Sequence, residues 1–138
     1  MYRSFISREW QLFAVNHCGQ ILHIDTSKND WKIIGNKIYY GEYLSIWGNA
    51  VLGADKCIYF PPTHHDRVLR YNPTTQNISL IGESYGNIEW DEWKWQGAVL
   101  ASDGYIYCIP LAATDILQID SRHVNEQVVA MIENLNVI

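Results

Sequence analysis

Basic residues are scarce in this chain: ten Lys and Arg stand against fifteen Asp and Glu, for a formal net charge of −5. A surface of that sign does not attract a phosphate backbone, so nucleic acid is set aside as a partner. Long apolar runs are missing as well, and without about 18 to 20 consecutive apolar residues no helix can span a bilayer. Residues 1–10 carry Arg3 and Arg8 and no apolar stretch, which argues against a secretory signal. Cysteine is limited to Cys18, Cys57 and Cys108, an odd number with no close pair to hold a metal. Cys57 and Cys108 lie inside apolar runs, where a reduced thiol behaves as a small buried hydrophobe. A Cys57–Cys108 bridge is the weaker alternative, and a reduced, cytoplasmic protein is the expectation.

Catalytic signatures are absent too. There is no serine nucleophile elbow, phosphate loop or dinucleotide fingerprint, and Gly82 and Gly86 lack the spacing and helix context of a phosphate cradle. No cofactor or metal is expected, and a non-catalytic role is favoured over an enzyme.

What the chain does have is apolar residues, 48% of its 138, enough for one domain over 1–138 to bury a core. They are ordered by a long repeat. Trp95-Gln96-Gly97-Ala98-Val99-Leu100, Asp103-Gly104-Tyr105-Ile106-Tyr107-Cys108-Ile109-Pro110 and Ile116-Leu117-Gln118-Ile119-Asp120 echo a segment 47 to 48 residues earlier. There the chain reads Trp47-Gly48-Asn49-Ala50-Val51-Leu52, Asp55-Lys56-Cys57-Ile58-Tyr59-Phe60-Pro61 and Val68-Leu69-Arg70-Tyr71-Asn72. A weaker copy runs through Trp10-Gln11-Leu12-Phe13-Ala14-Val15, Ile21-Leu22-His23-Ile24-Asp25 and Trp31-Lys32-Ile33-Ile34-Gly35. The units fall at about 1–35, 46–82 and 95–132.

Each unit parses into about four short strands. In the third, 96–101, 105–109, 115–119 and 126–132 are strands, separated by turns at Ser102-Asp103-Gly104 and Asp120-Ser121-Arg122. The run 124–135 also fits a short helix, with Val128, Met131, Ile132 and Leu135 at helical spacing. The middle unit gives 50–52, 57–60, 68–71 and 78–81, with Asn72 capping a turn that Pro73 stiffens. Lys56 stands where the third unit has Gly104, which predicts a different turn type there. The first unit opens on 2–6, its least regular strand. In Tyr105-Ile106-Tyr107-Cys108-Ile109 no position is polar enough for solvent, so both faces must be covered, as in a sheet stacked between two others.

On these residues the chain resembles the kelch-like and YVTN-like β-propeller repeats, in particular units with a Trp-x-Gly-Ala-Val-Leu opening and an Asp-Gly-x-Ile-Tyr-x-Ile-Pro strand. The resemblance covers about Trp10 to Ile132, although the paired glycines of true kelch units are missing. It implies an all-β fold, a β-propeller segment of about three four-stranded blades. Closed propellers need at least about four blades. The chain is therefore expected either to close by homodimerisation or to belong to a longer propeller.

Function is sought where the repeat fails. His64-His65-Asp66 has no counterpart in the third unit, which reads Ala112-Ala113-Thr114, and its imidazoles and carboxylate can shuttle protons or bind zinc. His17 and Cys18 occupy the matching turn of the first unit, so His17, His64 and His65 belong to one rim. In Glu89-Trp90-Asp91-Glu92-Trp93-Lys94-Trp95 three indoles alternate with charges close to Tyr85. Trp95 and Trp47 are equivalent and read as packing between blades. Trp90 and Trp93 are unrepeated and, with Glu89, Glu92, Tyr85, His64 and His65, form the ligand-binding candidates. They suit a protein or carbohydrate partner, and the expected role is a non-catalytic binding or scaffolding module. The alternative is a propeller enzyme acting on sugars or sugar acids, a lyase or hydrolase using converging Asp, Glu and His.

Overall fold

A computed structural model describes residues 2–42, 46–85, 93–122 and 129–132, with the strand path alone for 2–8 and 129–132. Among the described residues twelve strands form three four-stranded antiparallel sheets, each in chain order. The first contains β1 (Tyr2–Arg8), β2 (Gln11–Asn16), β3 (Ile21–Asp25) and β4 (Asp30–Ile34). The second contains β5 (Val51–Leu52), β6 (Ile58–Phe60), β7 (Val68–Asn72) and β8 (Asn77–Ile81). The third contains β9 (Trp95–Leu100), β10 (Tyr105–Pro110), β11 (Ile116–Asp120) and β12 (Val129–Ile132). They resemble the blades of a propeller, and they do not close into a ring.

Turn chemistry repeats with the sheets. Between the third and fourth strands, Asp25 accepts from the Ser27 and Lys28 N–H groups, and Asn72 from those of Thr74 and Thr75. At the same position in the third sheet Asp120 accepts from Arg122 N–H. Such side-chain turns hold the chain reversal before the strands pair.

Between first and second strands, Glu9, Lys56 and Gly104 share the left-handed region at φ 52°, 67° and 87°. Lys56 N–H donates to Gly53 O and Gly104 N–H to Ala101 O, both at 3.0 Å. The expectation of a different turn at Lys56 is thereby corrected. The backbone keeps the shape, and a lysine tolerates a conformation that favours glycine.

The middle sheet is buried on both faces, and alternation of its side chains builds two cores. Ile58, Phe60, Leu69 and Tyr71 face the first sheet and meet Phe13, Val15 and Ile21. Cys57, Tyr59 and Val68 face the third sheet and meet Trp95, Ile106, Cys108, Leu117 and Ile119. Covering each such side chain stabilises the fold by about 1.5–3 kcal/mol before entropy is counted.

Trp47 and Trp95 pin these junctions in the same way. Each indole N–H donates to a backbone carbonyl 20 residues on, Trp47 to Arg67 O at 3.1 Å and Trp95 to Asp115 O at 2.8 Å.

One further expectation changes, and two alternatives to the favoured readings fall away. Trp10 is no third copy of these tryptophans: it sits in the β1–β2 turn and is 67% exposed. The stretch around it aligns with the second strands of the other sheets, since Gln11–Asn16 pairs with both β1 and β3. Val129–Ile132 pairs with β11 as a strand rather than continuing a helix. Cys57 and Cys108 are both buried as free thiols, so the bridge does not form. Among the described residues no helix is long and apolar enough to cross a membrane.

Candidate functional site at the second and third sheets

Antiparallel order puts the loops between second and third strands on one rim, together with the links from each sheet to the next. The widest of these loops is 61–67. Its curl is set by one acceptor, Ile46 O, which takes the N–H groups of Thr63, His64 and His65 at 3.0, 3.1 and 3.2 Å. Thr63 then ties the loop to the third sheet, its hydroxyl donating to Trp95 O at 2.9 Å and its carbonyl accepting from Lys94 N–H at 3.1 Å.

The histidines are held apart by different partners. His65 stacks on the Trp47 indole with centroids 4.8 Å apart. His64 meets Trp93 edge-on at 6.0 Å. The link after β8 folds over the same loop: Tyr85 N–H donates to Asp66 O and the Ser84 hydroxyl to Asp66 Oδ2, both at 2.8 Å. Tyr85 lies edge-on to Trp95 at 5.4 Å, and burial pushes its phenol up to about 12.

Two groups compete for His65 Nδ1. Asp66 Oδ1 lies 3.0 Å away and the Arg67 N–H donates to it at 3.1 Å. The Arg67 N–H is the hydrogen bond made to this nitrogen, and the Asp66 carboxylate lies against it as an ion-pair partner for the protonated ring. Burial lowers the imidazole from its usual range, and the Asp66 carboxylate opposes that shift. Burial also pushes the Asp66 carboxyl up, but the Ser84 hydrogen bond and His65 outweigh it and hold it below the ordinary value.

Beneath the histidine, the Lys94 ammonium donates to His65 O at 2.6 Å. Burial lowers this amine to about 8. A desolvated amine and an imidazole–carboxylate pair within one loop are groups suited to moving protons near neutral pH.

Tyr85, Trp93, His64 and His65 are thus brought to one junction, while Glu89, Trp90 and Glu92 lie outside the described residues. Sequence reasoning passed over Lys94 and, although it read the Asp66 carboxylate together with the imidazoles, left Asp66 out of the ligand candidates. The missed signal was alignment: Lys94 falls 48 residues after Ile46, which is 1% exposed. Among the described residues no three His, Cys, Asp or Glu side chains gather to hold a metal ion.

The opposite rim has a separate cavity of about 260 Å³ lined by Glu9, Gln11, Phe13, His23, Pro73 and Thr74. There His23 stacks on Phe13 at 4.6 Å and hydrogen-bonds Gln11. None of the described ligand candidates lines it.

No protein-family model matches the sequence, and no curated protein matches it. Solved structures do. Virginiamycin B lyase from Staphylococcus aureus superimposes with a TM-score of 0.67 at 14% identity, over 98% of this chain and 42% of that one. A streptogramin B lyase gives 0.70 at 12% identity, over 97% of this chain and 41% of that one. The extracellular domain of a one-component system from B. thetaiotaomicron gives 0.59 at 12%, over 97% and 18%.

The shared feature is the all-β, blade-like fold, and the chain spans about two fifths of the length of the two lyases. These likenesses overturn the sequence-based preference for a non-catalytic role over an enzyme. The fold in which nearly all of it superimposes is one that carries lyase catalysis.

Proposed function

We propose that this chain supplies part of a propeller enzyme of the lyase type, with His65 as the proton acceptor. The observation that carries the reading is the contact between His65 Nδ1 and Asp66 Oδ1 at 3.0 Å: with the proton of the neutral ring on Nδ1 toward Asp66, the imidazole offers Nε2 as a base beside Trp47. In an elimination, Nε2 takes the proton from a carbon next to a carbonyl. The C–H pair becomes the second bond of a new C=C, and the leaving group departs with the pair of its own bond to carbon. The imidazolium, stabilised by Asp66, then returns its proton to that leaving group. Lys94 does not touch substrate here: it is a positioning residue that fixes the His65 backbone.

Trp93, edge-on to His64, supplies an aromatic wall of the kind that holds a sugar ring or a planar amide. The substrate class inferred from the aromatic and ionisable groups is a sugar acid, and the matched lyases make a streptogramin B antibiotic the second substrate to try. The kelch-like or YVTN-like affiliation remains part of the same reading, supported by the blade period alone.

The test is incubation of the protein with a uronic acid polymer and, separately, with quinupristin. Product mass and ultraviolet absorbance are followed. A lyase gives products whose masses sum to that of the substrate, or one opened product of unchanged mass where the cleaved bond lies in a ring, with a new double bond in the product. His65→Gln is expected to lower turnover by at least about 100-fold. Uptake of label from ¹⁸O-water into the products would point to hydrolysis, and unchanged turnover in His65→Gln would remove His65 from the role.

A further inference from the structure

The two ends of the stack are the two halves of one kind of junction. Internal junctions show what each sheet face is built to meet. On the second sheet, the face toward the third includes Val51, 9% exposed, and the loop beside it includes Thr63, 1% exposed. The equivalent positions of the third sheet, 48 residues on, are Val99 and Leu111, and they are 55% and 62% exposed. Pro61 is buried where its equivalent, Ile109, is exposed.

The far end shows the converse. Ile78 and Leu80 of β8 pack on the core between first and second sheets. Their equivalents 47 residues earlier, Trp31 and Ile33 on β4, are 64% and 49% exposed. Register confirms the equivalence, because Trp31 pairs with Ile24 as Ile78 pairs with Tyr71, and Ile33 with Leu22 as Leu80 with Leu69.

We infer that a second copy of this chain docks here, head to tail: Val99, Ile109 and Leu111 of one copy meet the Trp31 and Ile33 face of the other. The occupant is argued from continuity. Every copy carries both complementary halves, and each half repeats positions that are already covered where two sheets meet. Two such contacts related by a twofold axis form a closed pair with six sheets, inside the range of about four to eight blades in which propellers close. Closure leaves no apolar end exposed, which is the driving force for association.

The experiment is solution mass by sedimentation equilibrium, starting from a chain of 16.0 kDa. The expected result is a discrete species of twice that mass. Ile109→Asp and Ile33→Asp are each expected to weaken the pair by more than about tenfold, since each puts an uncompensated carboxylate into both contacts.

Mixing the two variants is the decisive arm. In a head-to-tail pair of one Ile109→Asp and one Ile33→Asp copy, both charges fall in the same contact and the other contact is intact. The mixture therefore recovers a dimer that neither variant forms alone. A folded monomer at micromolar concentration, an open series of larger species, loss of the dimer in only one of the two variants, or no recovery on mixing would each overturn the inference. Circular dichroism of each variant separates loss of association from loss of fold.

Discussion

Lys94 stands where the second sheet has Ile46, and replacing an alkyl group by an amine at a buried position couples folding to pH. The folded amine is held at about 8 against an ordinary value of 10.5. Above pH 8 the unfolded chain therefore binds more protons at this site than the folded one, and stability rises with pH. The rise is confined to a window of about pH 8 to 9, because burial also pushes the Cys57 thiol up from 9.0 to about 11. From pH 9 the unfolded thiol ionises first, which favours unfolding. Melting temperature is expected to climb from pH 8 to 9, and Lys94→Met is expected to flatten that climb. At the same scale, Trp95→Phe removes the indole donor to Asp115 O and leaves a gap in the core, with an expected loss of about 1–3 kcal/mol in urea unfolding. An unchanged midpoint would mean that the indole is not a pin of that junction.

At the scale of strands and turns, the backbone is more regular than the residues that build it. Glu9, Lys56 and Gly104 share one left-handed position, as do Asn29 and Gln76 another. Lys56→Gly is expected to stabilise the protein by about 0.5–1 kcal/mol by relieving that conformation. Gly104→Ala is expected to destabilise it, since a Cβ there would lie 2.5 Å from Arg122 Cγ. Denaturant midpoints of the two variants check both signs.

The strand count and most boundaries were legible because hydrophobic alternation and turn residues recur with the period. What was not legible has a local cause in each case. Trp10 drew an alignment by residue type although its turn is solvent-facing, and Lys56 hid a turn whose shape is usually signalled by glycine. The candidate site was half legible: His64, His65 and Trp93 stood out by failing to repeat, and Tyr85 by its place next to the tryptophan-rich segment. Lys94 was signalled only by its alignment with Ile46, and the dual contacts of His65 required knowing how loop 61–67 folds, which no local pattern encodes.

For the whole molecule, association and stability are linked. If the ends are covered by a second copy, the folded dimer gains stability by mass action and its melting temperature rises with protein concentration. A tenfold dilution is expected to lower it measurably in the native chain and to leave Ile109→Asp unmoved, as followed by circular dichroism. A melting temperature independent of concentration in the native chain would show that each chain unfolds alone.

The matching ends also bear on how such a chain changes over generations. A recombination that duplicates or deletes one complete period of 47 to 48 residues removes or adds a sheet yet leaves the same two faces at the ends. Ring size is then a quantity that a single unequal exchange can alter, without any new surface having to evolve first. The interior faces, already matched to one another, act as a common connector, and inheritance can vary the number of units while the connector stays constant.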